Sequence, residues 1–137
     1  MGGFRRLRLL LDTHIILWST AEPERLPRRI VDELLDPGNE LWFSPISVWE
    51  IMLLAEKKRI LLKGDRTKAV RRIFRKIPFK EAPLNREVAI QSRLVDLQHK
   101  DRADRFLAAI ALVYNLTLVT ADKRIIEAES ISVLSAL

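Results

Sequence analysis

Four carboxylates stand where they can do chemistry together. Asp12 directly follows the apolar run Leu9–Leu11, and Asp122 stands two residues past a second such run, Leu116–Thr120. In open α/β sheets ligands bind outside the carboxyl ends of the strands, so both acids belong to the functional edge. Glu50 lies in the run Ser-Val-Trp-Glu-Ile-Met, with Ser47 three residues earlier on the same helical face. Asp104 stands just before the nine-residue apolar run Phe106–Tyr114. Two carboxylates ~4 Å apart repel by about 4 kcal/mol at an effective dielectric near 20. Four at one edge must therefore take up protons or bind a hard divalent cation. Oxygen donors, with no Cys and only two His in the chain, favour Mg²⁺ or Mn²⁺ over Zn²⁺. Such an ion neutralises a phosphate and activates water, which is the chemistry of a nuclease.

Each acid also has an ordinary role open to it. Asp12 can cap a short helix at Ile15–Ser19, Asp122 can cap the helix after it, and Asp101 with Asp104 forms an Asp-x-x-Asp capping pattern. Glu50 can be a plain surface residue. It is the set, ordered towards one edge, that points to function. His14 and His99 have no third His and no Cys to complete a site, so a structural or surface role is expected. Trp18, Trp42 and Trp49 adjoin apolar runs and are expected in core or dimer packing rather than stacked on bases. The only glycines are at 2, 3, 38 and 64, which excludes a Gly-x-Ser-x-Gly elbow and a glycine-rich phosphate loop.

The elements that must position these acids alternate between strand and helix. Leu7–Leu11 has strand length. Glu24–Asp36 has helical periodicity and stops at Pro37-Gly38. Glu40–Phe43 reads as a strand, and Ser44 as an N-cap with Pro45 opening a helix to about Lys58. A helix over Arg66–Ile77 follows, then an extended piece at Phe79–Leu84. Asn85 is placed to cap a helix to about Leu97, and another helix spans Arg102–Tyr114. Asn115 is a C-cap before the strand Leu116–Thr120. A short helix from Asp122 and a strand at Ile131–Leu134 complete an α/β chain with a mostly parallel sheet.

Composition bounds the class. With 137 residues, 48% apolar and 31% charged, the chain suits one globular domain spanning 1–137. The absence of Cys excludes a disulfide framework. The nine-residue apolar run is far short of the roughly 20 residues of a membrane span. Asp12 interrupts the N-terminal apolar stretch before it can serve as a signal peptide, so a cytoplasmic location and no membrane partner are expected. The net charge of +6 is uneven. Residues 57–80 hold eleven cations against Asp65 alone, a local +10, which leaves −4 on the rest. Such a segment suits a polyanionic partner, with Arg71, Arg72, Arg75 and Lys76 as candidate RNA contacts. It also suits a solvated helix face, because Val70, Ile73, Phe74 and Ile77 follow helical spacing opposite the cations.

Four stretches together carry a resemblance. They are Leu-Leu-Leu-Asp-Thr-His at 9–14, Ser-Pro-Ile-Ser-Val-Trp-Glu-Ile at 44–51, His-Lys-Asp-Arg-Ala-Asp-Arg-Phe-Leu-Ala-Ala-Ile-Ala at 99–111 and Leu-Thr-Leu-Val-Thr-Ala-Asp at 116–122. In order and spacing the chain resembles the PIN-domain ribonucleases, and among them the VapC toxins of VapBC toxin–antitoxin systems, from about residue 7 to 134. The resemblance implies a three-layer α/β/α sandwich and a Mg²⁺- or Mn²⁺-dependent endoribonuclease that leaves 5′-phosphate and 3′-hydroxyl ends. It implies a homodimer and a small antitoxin that blocks the site. By resemblance Asp12 is the first metal ligand, Glu50 the second acid, Asp104 the third and Asp122 the fourth. Thr120, Ser47 and Thr13 are polar supports, Asp101 is an additional acid, and Arg105 orients a carboxylate or is a surface cation. The chain departs from the family in having Arg102-Ala103 where relatives carry Pro and a bulky residue, and in the extra Gly2-Gly3-Phe4-Arg5-Arg6 before the first strand.

Two other classes compete. A non-catalytic RNA-binding module would rest on segment 57–80. An aspartyl phosphotransfer domain would use Asp12, although position 14, where Asp-x-Asp chemistry wants a second acid, is His.

Overall fold

The computed structural model describes residues 6–97 and 102–137. Five strands form one parallel sheet: β1 (Arg8–Leu11), β2 (Glu40–Phe43), β3 (Lys80–Glu81), β4 (Thr117–Thr120) and β5 (Val133–Ser135). Their order is β3-β2-β1-β4-β5. The chain builds outward from β1 to β3, then returns to place β4 on the other side of β1. That reversal is a topological switch point, where the connections diverge and leave a crevice at the strand ends. β1 and β4 are the two strands that flank it, paired Leu9 to Thr117, Leu10 to Leu118 and Leu11 to Val119.

The unbroken Leu-Leu-Leu of β1 is what a strand buried on both faces requires. Leu9, Leu10 and Leu11 are all wholly buried, and each such side chain contributes roughly 1.5–3 kcal/mol. Leu9 and Leu11 face one core, with Val119, Ile15, Ile16, Ile30, Val70 and Ile73. Leu10 faces the other, with Leu118, Val88, Leu107, Ile110 and Ile125. The first core takes side chains from helices α1 (Thr13–Ala21), α2 (Arg28–Leu35) and α4 (Arg66–Arg75). The second takes them from α5 (Arg86–Leu94), α6 (Arg102–Val113) and α7 (Lys123–Ile126). Helix α3 (Pro45–Glu56) contributes Ile46 to the second core and Ile51 to the first. The result is the expected three-layer α/β/α sandwich, with an all-parallel sheet.

Several boundaries follow from caps that the sequence announces. The Ser44 hydroxyl accepts the Ile46 N–H at 3.1 Å with Pro45 at the first helical position of α3, and Asn85 Oδ1 accepts the Val88 N–H at 3.0 Å on α5. Asn115 ends α6 at φ 55°, a left-handed position that Asn tolerates. Gly64 takes φ 74° in the turn before α4. Two elements differ from expectation. The helix expected from Glu24 is a single 3-10 turn at Pro23–Arg25, and α2 begins only at Arg28. Pro27 is the reason: it holds Leu26 extended at ψ 137° and so breaks the helical run. The extended piece expected at Phe79–Leu84 forms a strand over only two residues, because Pro78 and Pro83 bracket it and donate nothing to a ladder.

Candidate active site

Asp12 is the hinge between β1 and α1. Its N–H donates to the Val119 carbonyl at 3.0 Å, and its own carbonyl accepts the Ile16 N–H at 3.0 Å. It holds the N-cap position of α1, yet its side chain makes no capping hydrogen bond. The Asp12 carboxylate instead accepts from the Thr120 hydroxyl across the β1/β4 pair, Oγ1 to Oδ2 at 2.7 Å. The capping role open to this residue is thus not taken.

Asp122 differs. Its Oδ1 accepts the Arg124 N–H at 2.9 Å, so it does cap α7, and its other oxygen lies 3.5 Å from the Arg124 guanidinium. Its own N–H donates to Thr120 Oγ1 at 3.1 Å. Thr120 therefore links the two strand-end acids through one hydroxyl. Thr13 and Ser47 are wholly buried and hydrogen-bonded to each other, Oγ1 to Oγ at 2.9 Å. That bond fastens the first turn of α1 to α3, one helical turn before Glu50. Asp104 is buried at 8% exposure in the first turn of α6, and Glu50 is half-buried on α3.

All four expected acids face one pocket of about 260 Å³, lined by Asp12, His14, Trp18, Glu50, Asp104, Ala121, Asp122 and Arg124. They come from four separate elements, so only the fold brings them together. A larger and mostly apolar cavity of about 730 Å³, with Leu26, Val31, Leu34 and Ile77 in its wall, includes none of these four acids. The four acids thus lie in the smaller of the two pockets.

Burial dominates the electrostatics at Asp12 and raises its pKa above the ordinary carboxylate range. The Thr120 hydrogen bond, the His14 charge and the Thr13 N–H oppose the rise, while the Asp122 charge adds to it. A buried carboxylate facing other carboxylates is a poor place for a bare negative charge and a good one for a cation. Among the described residues no group of three or more His, Asp or Glu is arranged to hold a metal ion. The acids line an open pocket rather than a closed cage.

Other expected residues fall elsewhere. Asp101 and His99 lie outside the described residues. Among the described residues Arg105 has no carboxylate partner, and it does not stand as a free surface cation. It donates to three carbonyls, Leu97 at 2.6 Å, Ser92 at 2.9 Å and Val95 at 3.2 Å, and so ties the end of α5 to α6. Arg71, Arg72, Arg75 and Lys76 are exposed on or just past α4, outside the acidic pocket, with Val70 and Ile73 buried on the opposite side of the helix. Trp42 packs against Tyr114, ring centroids 6.4 Å apart, whereas Trp49 is 53% exposed and is not core.

Four pocket residues were not expected there: His14, Trp18, Ala121 and Arg124. His14 and Trp18 follow Asp12 by two and six residues on one helix, so their i, i+4 spacing did hold the signal. Arg124 follows Asp122 by two residues, and no pattern in the sequence distinguishes it from the chain's other cations.

A parallel α/β/α sandwich with four carboxylates at its switch point defines a class, and residues 9–130 match the PIN-domain family. The chain belongs to that family. Within it the chain is of the VapC type: it is 30% identical over 120 residues to Ribonuclease VapC22 of Mycobacterium tuberculosis, covering 85% of this chain and 88% of that protein. Solved structures agree in fold. VapBC2 from Rickettsia felis, bound to a DNA fragment from its promoter, aligns with a TM-score of 0.72 at 18% identity over 94% of this chain and 98% of that one. DNA-bound VapBC from Salmonella typhimurium aligns with a TM-score of 0.67 at 15% identity over 96% and 99%.

Proposed function

We infer that this chain is a Mg²⁺- or Mn²⁺-dependent endoribonuclease, the toxin of a toxin–antitoxin pair. The observation that carries the reading is the convergence of Asp12, Glu50, Asp104 and Asp122 on one pocket at the β1/β4 switch point. The name of the VapC22 relative supports ribonuclease activity, and the VapBC complexes support a small antitoxin partner. A homodimer and a cytoplasmic site of action belong to the same reading. Among the described residues no helix is long and apolar enough to cross a membrane.

The donor set fits a hard cation. Carboxylate oxygens suit Mg²⁺ and Mn²⁺, and Mg²⁺ usually binds through one or two protein carboxylates plus substrate phosphates and water. An open pocket of acids meets that need without a cage of three. Asp12 and Asp104, the two most buried acids, are the residues to hold the ion, with Glu50 and Asp122 lining the same pocket. When bound, the ion supplies positive charge at the scissile phosphate and acidifies water for in-line attack.

The chain's own residues do the rest. Thr120 holds the Asp12 carboxylate in one orientation and favours its charged form. The Thr13–Ser47 bond keeps α1 and α3 in register, and with them Asp12 and Glu50. The cations of α4 attract the RNA backbone from outside the pocket. The test is to incubate labelled RNA with the protein and Mg²⁺ or Mn²⁺, with and without EDTA. Cleavage that EDTA abolishes is expected; RNA binding with no metal-dependent cleavage would instead favour a non-catalytic binding module.

A further inference from the structure

The wall of the acidic pocket is not all carboxylate. His14 and Trp18 line it beside Asp12. Their rings lie 6.0 Å apart, tilted by 54°, one turn apart along α1. His14 is exposed and Trp18 half-buried. Trp18 also packs against the core that holds Leu9 and Leu11, so the residue touches both the core and the pocket. The Arg25 guanidinium lies 4.4 Å over the indole centroid, and Arg25 is itself held by Glu22 at 3.1 Å. The guanidinium thus covers one face of the indole, and a base from the pocket would meet the ring away from that face. Helix α1 begins immediately after Asp12, so the distance from that carboxylate to the ring pair is set by a rigid element.

Core packing alone accounts for the buried part of Trp18. It does not account for an exposed imidazole beside it, nor for both rings sharing a wall with four acids. A phosphodiester brought to those acids carries a base on either side, and aromatic faces hold bases in single strands regardless of sequence. Resting on the reading of the pocket as a ribonuclease site, we propose that His14 and Trp18 form the shelf on which the nucleobase next to the scissile phosphate stacks. These are binding residues for the base; the carboxylates remain the site of the chemistry. Stacking acts on bound substrate and transition state alike, so its loss raises KM and leaves kcat near its original value.

The test uses the full chain and an oligoribonucleotide with one mapped cleavage site. An abasic residue is placed on each side of that site in turn. For the unaltered protein, one of the two positions should lower kcat/KM by about tenfold or more, chiefly through KM. In Trp18→Leu the ratio of intact to abasic substrate at that position should fall towards one, and Trp18→Phe should restore it. Because it is a ratio, partial unfolding of Trp18→Leu does not move it. His14→Ala, altered at an exposed position, should lower the same ratio with the core untouched. If both variants discriminate against the abasic substrate as strongly as the unaltered protein, the shelf is overturned while the nuclease reading stands. If the unaltered protein cleaves no RNA with Mg²⁺ or Mn²⁺, that reading fails and the shelf falls with it.

Discussion

The Thr120 hydroxyl donates to Asp12 Oδ2 at 2.7 Å, joining the ends of the two central strands side by side. The same oxygen accepts the Asp122 N–H at 3.1 Å. One hydroxyl therefore positions two acids and favours the ionised form of the more buried one. Thr120→Val keeps the shape and removes the donor. Hydrogen bonds to charged groups are worth about 1.5–3 kcal/mol, so a stability loss of that order is expected in urea titration. The Asp12 pKa should rise further, moving the acid limb of the cleavage profile to higher pH. Thr120→Ser should restore both; an unchanged pH profile in Thr120→Val would argue against the role.

Asp12 predicts an opposition between stability and function. Its folded-state pKa is raised, chiefly by burial. A raised pKa favours folding below the unfolded value, and that contribution is lost as pH rises through the folded one. At neutral pH and without metal, burying this carboxylate therefore weakens the fold relative to acid. Asp12→Asn should melt at a higher temperature than the unaltered protein in EDTA at neutral pH, with the gap closing in acid. Adding Mg²⁺ or Mn²⁺ should raise the melting temperature of the unaltered protein and leave the variant almost unmoved. Equal metal responses in thermal denaturation would contradict this.

Arg105 makes a structural prediction. Its three carbonyl partners, Ser92, Val95 and Leu97, lie on or just after α5. Arg105→Met removes all three donations, and a loss on the order of 2–3 kcal/mol is expected. Arg105→Lys should recover little of it, because a single ammonium cannot reproduce the planar fork. Equal stability of the two variants with the unaltered protein in chemical denaturation would show that these bonds are dispensable.

The cations of α4 should act through charge alone. Replacing Arg71, Arg72, Arg75 and Lys76 with Gln should raise KM for RNA and leave kcat unchanged. For single strands the slope of log affinity against log salt falls by about 0.7 for each phosphate contact removed. A salt dependence identical to that of the unaltered protein would reduce this face to solubility.

Much of this site was legible in the chain. Asp12 and Asp122 are readable because each follows an apolar run of strand length, and parallel strands place such residues on one edge. Ser44, Asn85 and Asn115 announce their caps by residue type. What escaped depends on tertiary context or on a local rule overlooked. Pro27 broke a helix that apolar periodicity alone had extended to Glu24. Arg105 follows an acid in sequence but reaches the other way, to carbonyls whose position only the fold determines. Trp18 reads as core because it is partly core; its second surface, facing the acids, depends on where α3, α6 and α7 bring Glu50, Asp104 and Asp122.

The central claim is that the carboxylate pocket cleaves RNA, and Asp12→Asn tests it most directly. The measurement is the cleavage rate of a labelled RNA with Mg²⁺ or Mn²⁺, alongside circular dichroism of the same samples. The account predicts an intact fold and loss of cleavage. Cleavage by the folded variant at the rate of the unaltered protein would contradict it.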